Sequence, residues 1–394
     1  MAEILKVLTL NHISHVGLGR FPAERYSVGS QLTAPDAILV RSQDMHSMDI
    51  AQSVKSIGRA GAGTNNIPVQ SMSLRGVPVF NAPGANANAV KELVIAGMLM
   101  AARNLLPAIR FVETLKGNDE EVSRQVEEGK KHYAGVELPR HTLGVVGLGR
   151  IGSLVADASI KLGMNVMGFD PEITVDAAWG LPSQVRKAHS VEELLRNCEF
   201  VTLHVPLVEA TRHLIGAQRI ALMKHGAILL NFAREGIVDV DAVVEALAAK
   251  QLRYYVCDFP GETLAGHPQV IALPHLGAST REAEDNCAVM VVEQVRDYLE
   301  HGNILHAVNF PDVSMARESP FRLGIANANV PNMVGQISTT VAHAGLNIHN
   351  MINKSRQDMA YTLVDVDSSV SQAVLREIAA IEGVLAVRYL PFEP

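Results

Sequence analysis

Three polar residues each follow a short apolar run: Arg234 ends LLNFAR, Glu262 follows YYVCDF, and His275 ends VIALPH. Their chemistry is complementary. A histidine is the side chain best matched to take a proton from a hydroxyl near neutral pH. A neighbouring carboxylate orients the ring and favours the imidazolium. An arginine grips a carboxylate at two points and polarises an adjacent carbonyl. Together they suit the oxidation of a small 2-hydroxy acid at its second carbon. Taken singly each has an ordinary explanation: a surface ion pair for Arg234, a loop charge for Glu262, and for His275, one of fifteen histidines, a helix-cap position.

Such an oxidation needs a hydride carrier. The run Gly147-Leu148-Gly149-Arg150-Ile151-Gly152 directly follows a strand-like LGVV and opens a helical SLVADASIKLG, and Asp170 stands eighteen residues after Gly152 at the end of the next strand. In that context the glycines have distinct jobs: a tight turn at Gly147, close approach of a pyrophosphate at Gly149, and helix-on-sheet packing at Gly152. The helix N-terminus offers amides and partial positive charge to phosphates. Asp170 can bond both hydroxyls of an adenosine ribose and would repel a 2′-phosphate, and Pro171-Glu172 supplies no arginine to accept one. The expected cofactor is NAD rather than NADP.

Positioning these residues at strand ends calls for alternating strands and helices. Strands are expected at 6–10, 37–41 and 77–81, and a second series at 143–147, 165–170, 200–204, 227–232, 254–258 and 270–272. A long helix begins after Asn86. The polar stretch 116–131 has no strong period and reads as a solvated connection. After His275 another long helix opens, with Ser279 and Glu282 at capping-box spacing and Gly302 as its stop. Composition shifts at Asn309-Phe310-Pro311, and the remainder reads β-α-β-β-α-β, with strands at 321–327, 347–354, 359–366 and 384–388 and helices at 333–344 and 371–380.

The 394 residues exceed one ordinary domain. A net charge of −7 argues against a nucleic-acid surface. Cys198, Cys257 and Cys287 are too few and too scattered for a disulfide framework or a zinc site, and read as buried inert thiols. No metal site is expected. The N-terminus lacks a signal-peptide pattern and Val94–Ala102 is too short to span a bilayer, so a cytoplasmic location is expected.

The segments GRAGAGTNNI, NAPGANANAVKELV, LGVVGLGRIG, LLNFAREGIVD and PHLGAST, in that order, resemble the D-isomer-specific 2-hydroxyacid dehydrogenase family across residues 1–310. The resemblance implies catalytic roles for Arg234, Glu262 and His275. It adds His204, Pro206, Ala233, Asp258 and Gly277 to the expected cofactor set. The family usually carries Asp-Val-Phe before its glutamate, whereas this chain has Cys257-Asp258-Phe259-Pro260-Gly261-Glu262. VRSQDM and SIGRAGAGTNN are similar to the substrate loops of members that oxidise D-3-phosphoglycerate, which implies that Arg41, Arg59 and the backbone of Gly61, Ala62 and Gly63 hold substrate. Other members act on hydroxypyruvate, glyoxylate or 4-phosphoerythronate, and some relatives are NAD-sensing binding proteins.

The implied architecture is α/β throughout: a flavodoxin-like substrate domain (1–85, completed by 286–310), a doubly wound NAD-binding domain (86–285), and a ferredoxin-like tail (311–394) that resembles an ACT domain. In that tail Asn329 and Asn347 match asparagines that hold an amino-acid effector, Asn327 stands where a histidine would be, and Asn332 replaces a turn glycine. The implied assembly is a homodimer or homotetramer, with the helix from about Asn88 near one contact.

Overall fold

The computed structural model describes residues 4–392. The chain divides into two units, one built from residues up to Asn86 together with those from Arg281 onward, the other from Ala87–Thr280.

In the first unit, β1 (Leu5–Leu10), β2 (Tyr26–Gly29), β3 (Ala37–Val40), β4 (Ser56–Arg59) and β5 (Val79–Asn81) form a parallel sheet in the order β2-β1-β3-β4-β5. Neither β2 nor β4 is among the strands expected from the sequence. β4 is Ser-Ile-Gly-Arg, with one strongly apolar residue, yet Ser56 and Ile57 are fully buried. A Cβ on Gly58 would come within 2.7–2.9 Å of the Val291, Leu39 and Val295 side chains. The missing side chain is what lets the helix Arg281–His301 lie on the strand.

The second unit holds β6 (Thr142–Val146), β7 (Asn165–Phe169), β8 (Arg186–Lys187), β9 (Phe200–Leu203), β10 (Ala227–Asn231), β11 (Leu252–Cys257) and β12 (Val270–Ala272), all parallel, in the order β12-β11-β10-β9-β6-β7-β8. Both faces are covered. Ile228 and Leu230 join one apolar cluster while Leu229 joins the other. That is why these strands read as continuous apolar runs rather than alternating ones. The two-residue β8 is too short to leave a pattern in the sequence. The order reverses at β6, whose neighbours are β9 and β7, so a crevice opens at its carboxyl end.

The stretch 116–131 is not the irregular connection expected of it. Asp119–Gly129 is a helix, started by a capping box in which the Asn118 side chain accepts from the Glu121 amide and the Glu121 carboxylate accepts from the Asn118 amide. None of its residues is buried; local capping and an acidic first turn produce a helix where no apolar period announces one. The preceding helix Leu105–Thr114 also buries nothing and exposes Leu105, Ile109 and Val112. Among the described residues no single helix is long and apolar enough to cross a membrane. The helices Ala87–Ala102 and Leu105–Thr114 would suffice together, but they meet at 62°. All three cysteines are free and buried, as expected.

The tail of the first unit is β13 (Phe321–Ala328), a helix Met333–His343, β14 (Ile348–Arg356), β15 (Met359–Val366), a helix Gln372–Ala379 and β16 (Val384–Pro391), with an antiparallel sheet in the order β14-β15-β13-β16. One face packs under the two helices through Leu323, Ile325, Ile337, Val364 and Ile378. The other places Ala326, Tyr361 and Leu363 in the same cluster as Tyr298, Phe310 and Phe80.

The C-terminal end of Arg281–His301 is finished by that tail. Its last four carbonyls each accept from an arginine: Tyr298 and Leu299 from Arg388, Glu300 from Arg317, and His301 from Arg322, at 2.9, 2.9, 3.2 and 3.1 Å. The Tyr298 carbonyl also accepts from the Gly302 amide at 2.9 Å; the other three have run out of backbone donors, and all sit at the negative pole of the helix. Arg322 and Asp365 are both fully buried. Arg322 uses all five donors. Nε and Nη2 bind the Asp365 carboxylate at 2.6 and 2.8 Å, and the rest bind the carbonyls of His301, Met315 and Ala316.

Breaking one half of this pair leaves a buried, uncompensated charge. Arg322→Met is expected to cost about 3–5 kcal/mol, and Arg322→Met combined with Asp365→Leu to recover most of it. Urea unfolding of both variants checks this; a single variant with the parent's midpoint would show the pair to be dispensable.

Candidate functional site

Parallel strands bring the expected residues of the second unit to one edge of its sheet. Gly147–Gly152 follow β6, Asp170 follows β7, His204 and Pro206 follow β9, Ala233 and Arg234 follow β10, Asp258 and Glu262 follow β11, and His275 and Gly277 follow β12.

The glycine turn is built for something to approach it. Gly147 has φ +91°, and a Cβ there would meet the His204 carbonyl at 2.6 Å. A Cβ on Gly152 would lie 1.9 Å from the Gly147 oxygen. A Cβ on Gly149 would meet no protein atom within 4 Å. Its lack of a side chain therefore serves no packing need within the chain and leaves space above the turn. Gly149 caps the helix Arg150–Lys161 without any side-chain bond to the first turn, which carries Arg150 and Ile151. The Asp170 carboxylate is aimed back at the turn, accepting from the Leu148 amide at 2.8 Å and the Glu172 amide at 3.0 Å. These residues fit a dinucleotide: open backbone for a pyrophosphate and a fixed carboxylate for a ribose.

His204 forms a wall of the turn. Burial pushes its pKa down to about 3, so the imidazole is neutral, and its Nε2 lies 3.0 Å from Thr202 Oγ1. Pro206, just beyond, is exposed, and its carbonyl accepts from Thr211 at 2.5 Å.

Arg234 owes its position to a residue that sequence reasoning missed. Asn231 is buried; its Nδ2 donates to the Arg234 carbonyl at 2.9 Å and to Tyr255 Oη at 3.3 Å, and its Oδ1 accepts from the Ala233 amide at 3.1 Å. The amide thus shapes the turn from which the exposed Arg234 projects. The Arg234 guanidinium carbon lies 5.9 Å from the centre of the Phe259 ring, and the His275 ring is 4.4 Å from the same ring at 47°. Phe259, also missed, therefore joins the arginine to the histidine. The signal for both lay in immediate neighbours, an amide ending a buried strand and an aromatic directly after Asp258.

His275 takes φ +46°, a conformation L-residues rarely adopt. Its amide donates to the Asp258 carbonyl at 2.9 Å and the Leu273 carbonyl at 3.1 Å. Asp258 is 2% exposed and its Oδ1 has no hydrogen-bond partner. Burial pushes its pKa up to about 6, against the opposing pull of backbone hydrogen bonds, including one from Gly277, and of Arg234. Glu262 is exposed on the loop between β11 and β12; the preceding Gly261 sets that loop beside Glu235, next to the Arg234 turn.

In the first unit Arg41 and Arg59 end or follow β3 and β4. Arg59 Nε donates to the Arg41 carbonyl at 3.0 Å, and its guanidinium lies over Gly61, where a Cβ would clash at 1.9 Å. Asn81 holds the Ala62 carbonyl at 2.5 Å, and the Ala82 amide holds that of Gly61 at 3.0 Å, so the turn running on to Gly63 is fixed to the end of β5. The Arg41 guanidinium is ion-paired with Glu284 at 2.8 Å, a partner the sequence did not suggest.

The two tail asparagines are not brought together within the chain. Asn329 donates to the Gln357 carbonyl beside the start of β15, whereas the Asn347 amide donates to Asp367 just past its end. The eight residues of β15 separate them by roughly 25 Å. Asn327 is buried with its Oδ1 unpartnered. Asn332 has φ +65°, a left-handed conformation that glycine adopts most readily and asparagine tolerates.

The raised pKa of Asp258 sets a pH dependence. A carboxyl with a folded pKa above its unfolded value costs stability as pH rises from about 4 to 6, and the full cost stands above 6. The advantage of Asp258→Asn over the parent should grow by up to about 3 kcal/mol between pH 4 and 7. Parallel stability–pH curves would refute a buried, raised carboxyl here.

Residues 95–277 match the family model described as D-isomer specific 2-hydroxyacid dehydrogenase, NAD binding domain. The chain is similar to D-3-phosphoglycerate dehydrogenase of Methanocaldococcus jannaschii, 36% identical over 324 residues, which take in 79% of this chain but only 58% of that longer one. It is similar to D-3-phosphoglycerate dehydrogenase of Haemophilus influenzae, 33% identical over 355 residues, 87% of this chain and 83% of the relative. The solved structure of NAD+-bound 3-phosphoglycerate dehydrogenase from Entamoeba histolytica shares the fold, with a TM-score of 0.59 at 23% identity over 77% of this chain and 98% of that one. The chain therefore belongs to the D-isomer-specific 2-hydroxyacid dehydrogenases, and its second unit carries the NAD-binding domain of that family.

Proposed function

We propose that the protein oxidises D-3-phosphoglycerate to 3-phosphohydroxypyruvate with NAD, the entry reaction of L-serine synthesis. The observation that carries the reading is the placing of Arg234 and His275 about one aromatic ring, beside the buried Asp258 and at the sheet edge that holds the glycine turn. The substrate is suggested by relatives that bear the name D-3-phosphoglycerate dehydrogenase.

NAD, when bound, supplies the hydride acceptor. The chain's residues do the rest. Arg234 fixes the substrate carboxylate by paired hydrogen bonds. A ring nitrogen of His275 takes the hydroxyl proton, and Glu262 favours the imidazolium so formed. Arg59 and the backbone of Gly61, Ala62 and Gly63 hold the phosphorylated acid. Arg41 joins them with the guanidinium donors that its Nη2 pairing with Glu284 leaves over. Asp170 selects NAD by bonding the ribose hydroxyls and repelling a 2′-phosphate.

The domain reading goes with this function: a substrate domain over 1–85 and 286–310, an NAD-binding domain over 86–285, and a regulatory tail over 311–394. The order β2-β1-β3-β4-β5 supports a flavodoxin-like substrate domain, and the βαββαβ tail with its β14-β15-β13-β16 sheet supports a ferredoxin-like, ACT-type module. The exposed Leu105, Ile109 and Val112 support self-association beside the long helix. An amino-acid effector held by Asn329 and Asn347 together finds no support within one chain, given their separation.

His275→Ala should lower turnover by about 10²–10⁴ while NAD still binds, read by NADH formation with D-3-phosphoglycerate and by calorimetry; near-parent turnover would remove His275 as the base. Asp170→Ala should weaken NAD and narrow its advantage over NADP. An unchanged ratio of the two efficiencies would deny Asp170 that role. A substrate panel including glyoxylate, hydroxypyruvate and 4-phosphoerythronate tests the acid itself.

A further inference from the structure

A shallow, open depression of about 590 Å³ lies on the first unit, between the end of β5, the segment leading into the tail, and the end of β14. Asn81 and Pro83 line it from β5, His306 and Asp312 from the connecting segment, and Lys354 and Arg356 from β14. It belongs to none of the sites described above. We propose that it binds a small organic anion carrying phosphate or carboxylate groups, and that its occupancy bears on the Gly61–Gly63 turn.

The charge balance points to an anion. Lys354, Arg356 and His306 line the depression against one acid, Asp312, whose Oδ1 already accepts from the His306 amide at 2.8 Å. Arg356 is held in place by the Ala307 carbonyl at 3.1 Å, a bond that leaves its charge unneutralised. Among the described residues no carboxylate is ion-paired with Lys354 or Arg356. Two cations and a histidine around an open depression of this size suit an anion of a few carbons held by its charges.

The walls are tied to one another and to the Gly61–Gly63 turn by hydrogen bonds. The connecting segment is bonded along β5, with Phe80 bridging Ala307 and the Val308 amide donating to Val79. Asn81, on the wall, also holds the Ala62 carbonyl. An anion drawing Lys354 and Arg356 toward Asn81 therefore loads the hydrogen bond that fixes the Gly61–Gly63 turn. That consequence for substrate rests on the function proposed above; the binding does not.

The test is calorimetry on the full chain without NAD, with inorganic phosphate and with citrate as separate probes, on the parent, Lys354→Glu and Arg59→Gln. Saturable heat from either probe, weakened at least tenfold by Lys354→Glu and kept by Arg59→Gln, supports the site, and the probe that binds tells phosphate from polycarboxylate chemistry. No saturable heat, or heat lost in Arg59→Gln and kept in Lys354→Glu, overturns it. An unchanged thermal midpoint for Lys354→Glu, exposed on β14, excludes misfolding, and Lys354→Gln gives the same reading should the reversal unfold the chain. In a dehydrogenase assay the occupying probe should shift KM for the hydroxy acid more in the parent than in Lys354→Glu. Should the protein lack that activity, the function proposed above fails while the heats of binding still decide for or against the site.

Discussion

The helix Arg281–His301 must end inside the protein, and its terminal carbonyls must be satisfied there. An unmet carbonyl away from water costs on the order of 1–3 kcal/mol, and three without a backbone donor, those of Leu299, Glu300 and His301, stand together at the negative end of a six-turn helix. The tail answers with three guanidinium groups, one of them fully buried against Asp365. Much of the first unit hangs on that helix. Gly58 clears its path over β4, Ser14 bonds its Asp285, and Glu284 holds Arg41. The tail is thus part of the core of the first unit: Tyr361 and Leu363 share a cluster with Phe80 and Tyr298.

At the other unit's sheet edge the constraint is burial of a carboxyl. Asp258 lies in a place that disfavours its charge, next to a guanidinium that restores part of it. Phe259 follows directly and gives Arg234 and His275 a common apolar surface. That shared surface sets the two polar groups about one ring, and chemistry at fixed distances requires such placement.

Elements buried on both faces were legible, because strands of Val, Ile and Leu between helical patterns have few alternatives; β15 and the long helix after Asn86 lie where the pattern put them. What was lost had weak local signals. β4 is a strand because neighbours bury it, and Ser-Ile-Gly-Arg does not say so. The helix at 119–129 arises from a cap and not from an apolar face. Of the candidate site, strand-end residues such as Arg234 and His275 were readable from type and spacing, while Asn231 and Phe259 act through contacts that only the folded turn creates. Charge pairs distant in sequence were invisible: nothing around Arg41 announces Glu284, and nothing in the tail's motif tells that Asn329 and Asn347 stand at opposite ends of one strand.

The left-handed backbone at His275 has an evolutionary consequence. Glycine would relieve strain on the order of 1 kcal/mol at that φ, so selection for a robust fold alone pulls the codon away from histidine. On the proposed role as base, the imidazole persists there only under selection for that chemistry. A lineage released from that demand should drift first at this position toward glycine or asparagine, gaining stability as it loses chemistry. On that proposed role, the identity of residue 275 would record whether a descendant keeps the activity.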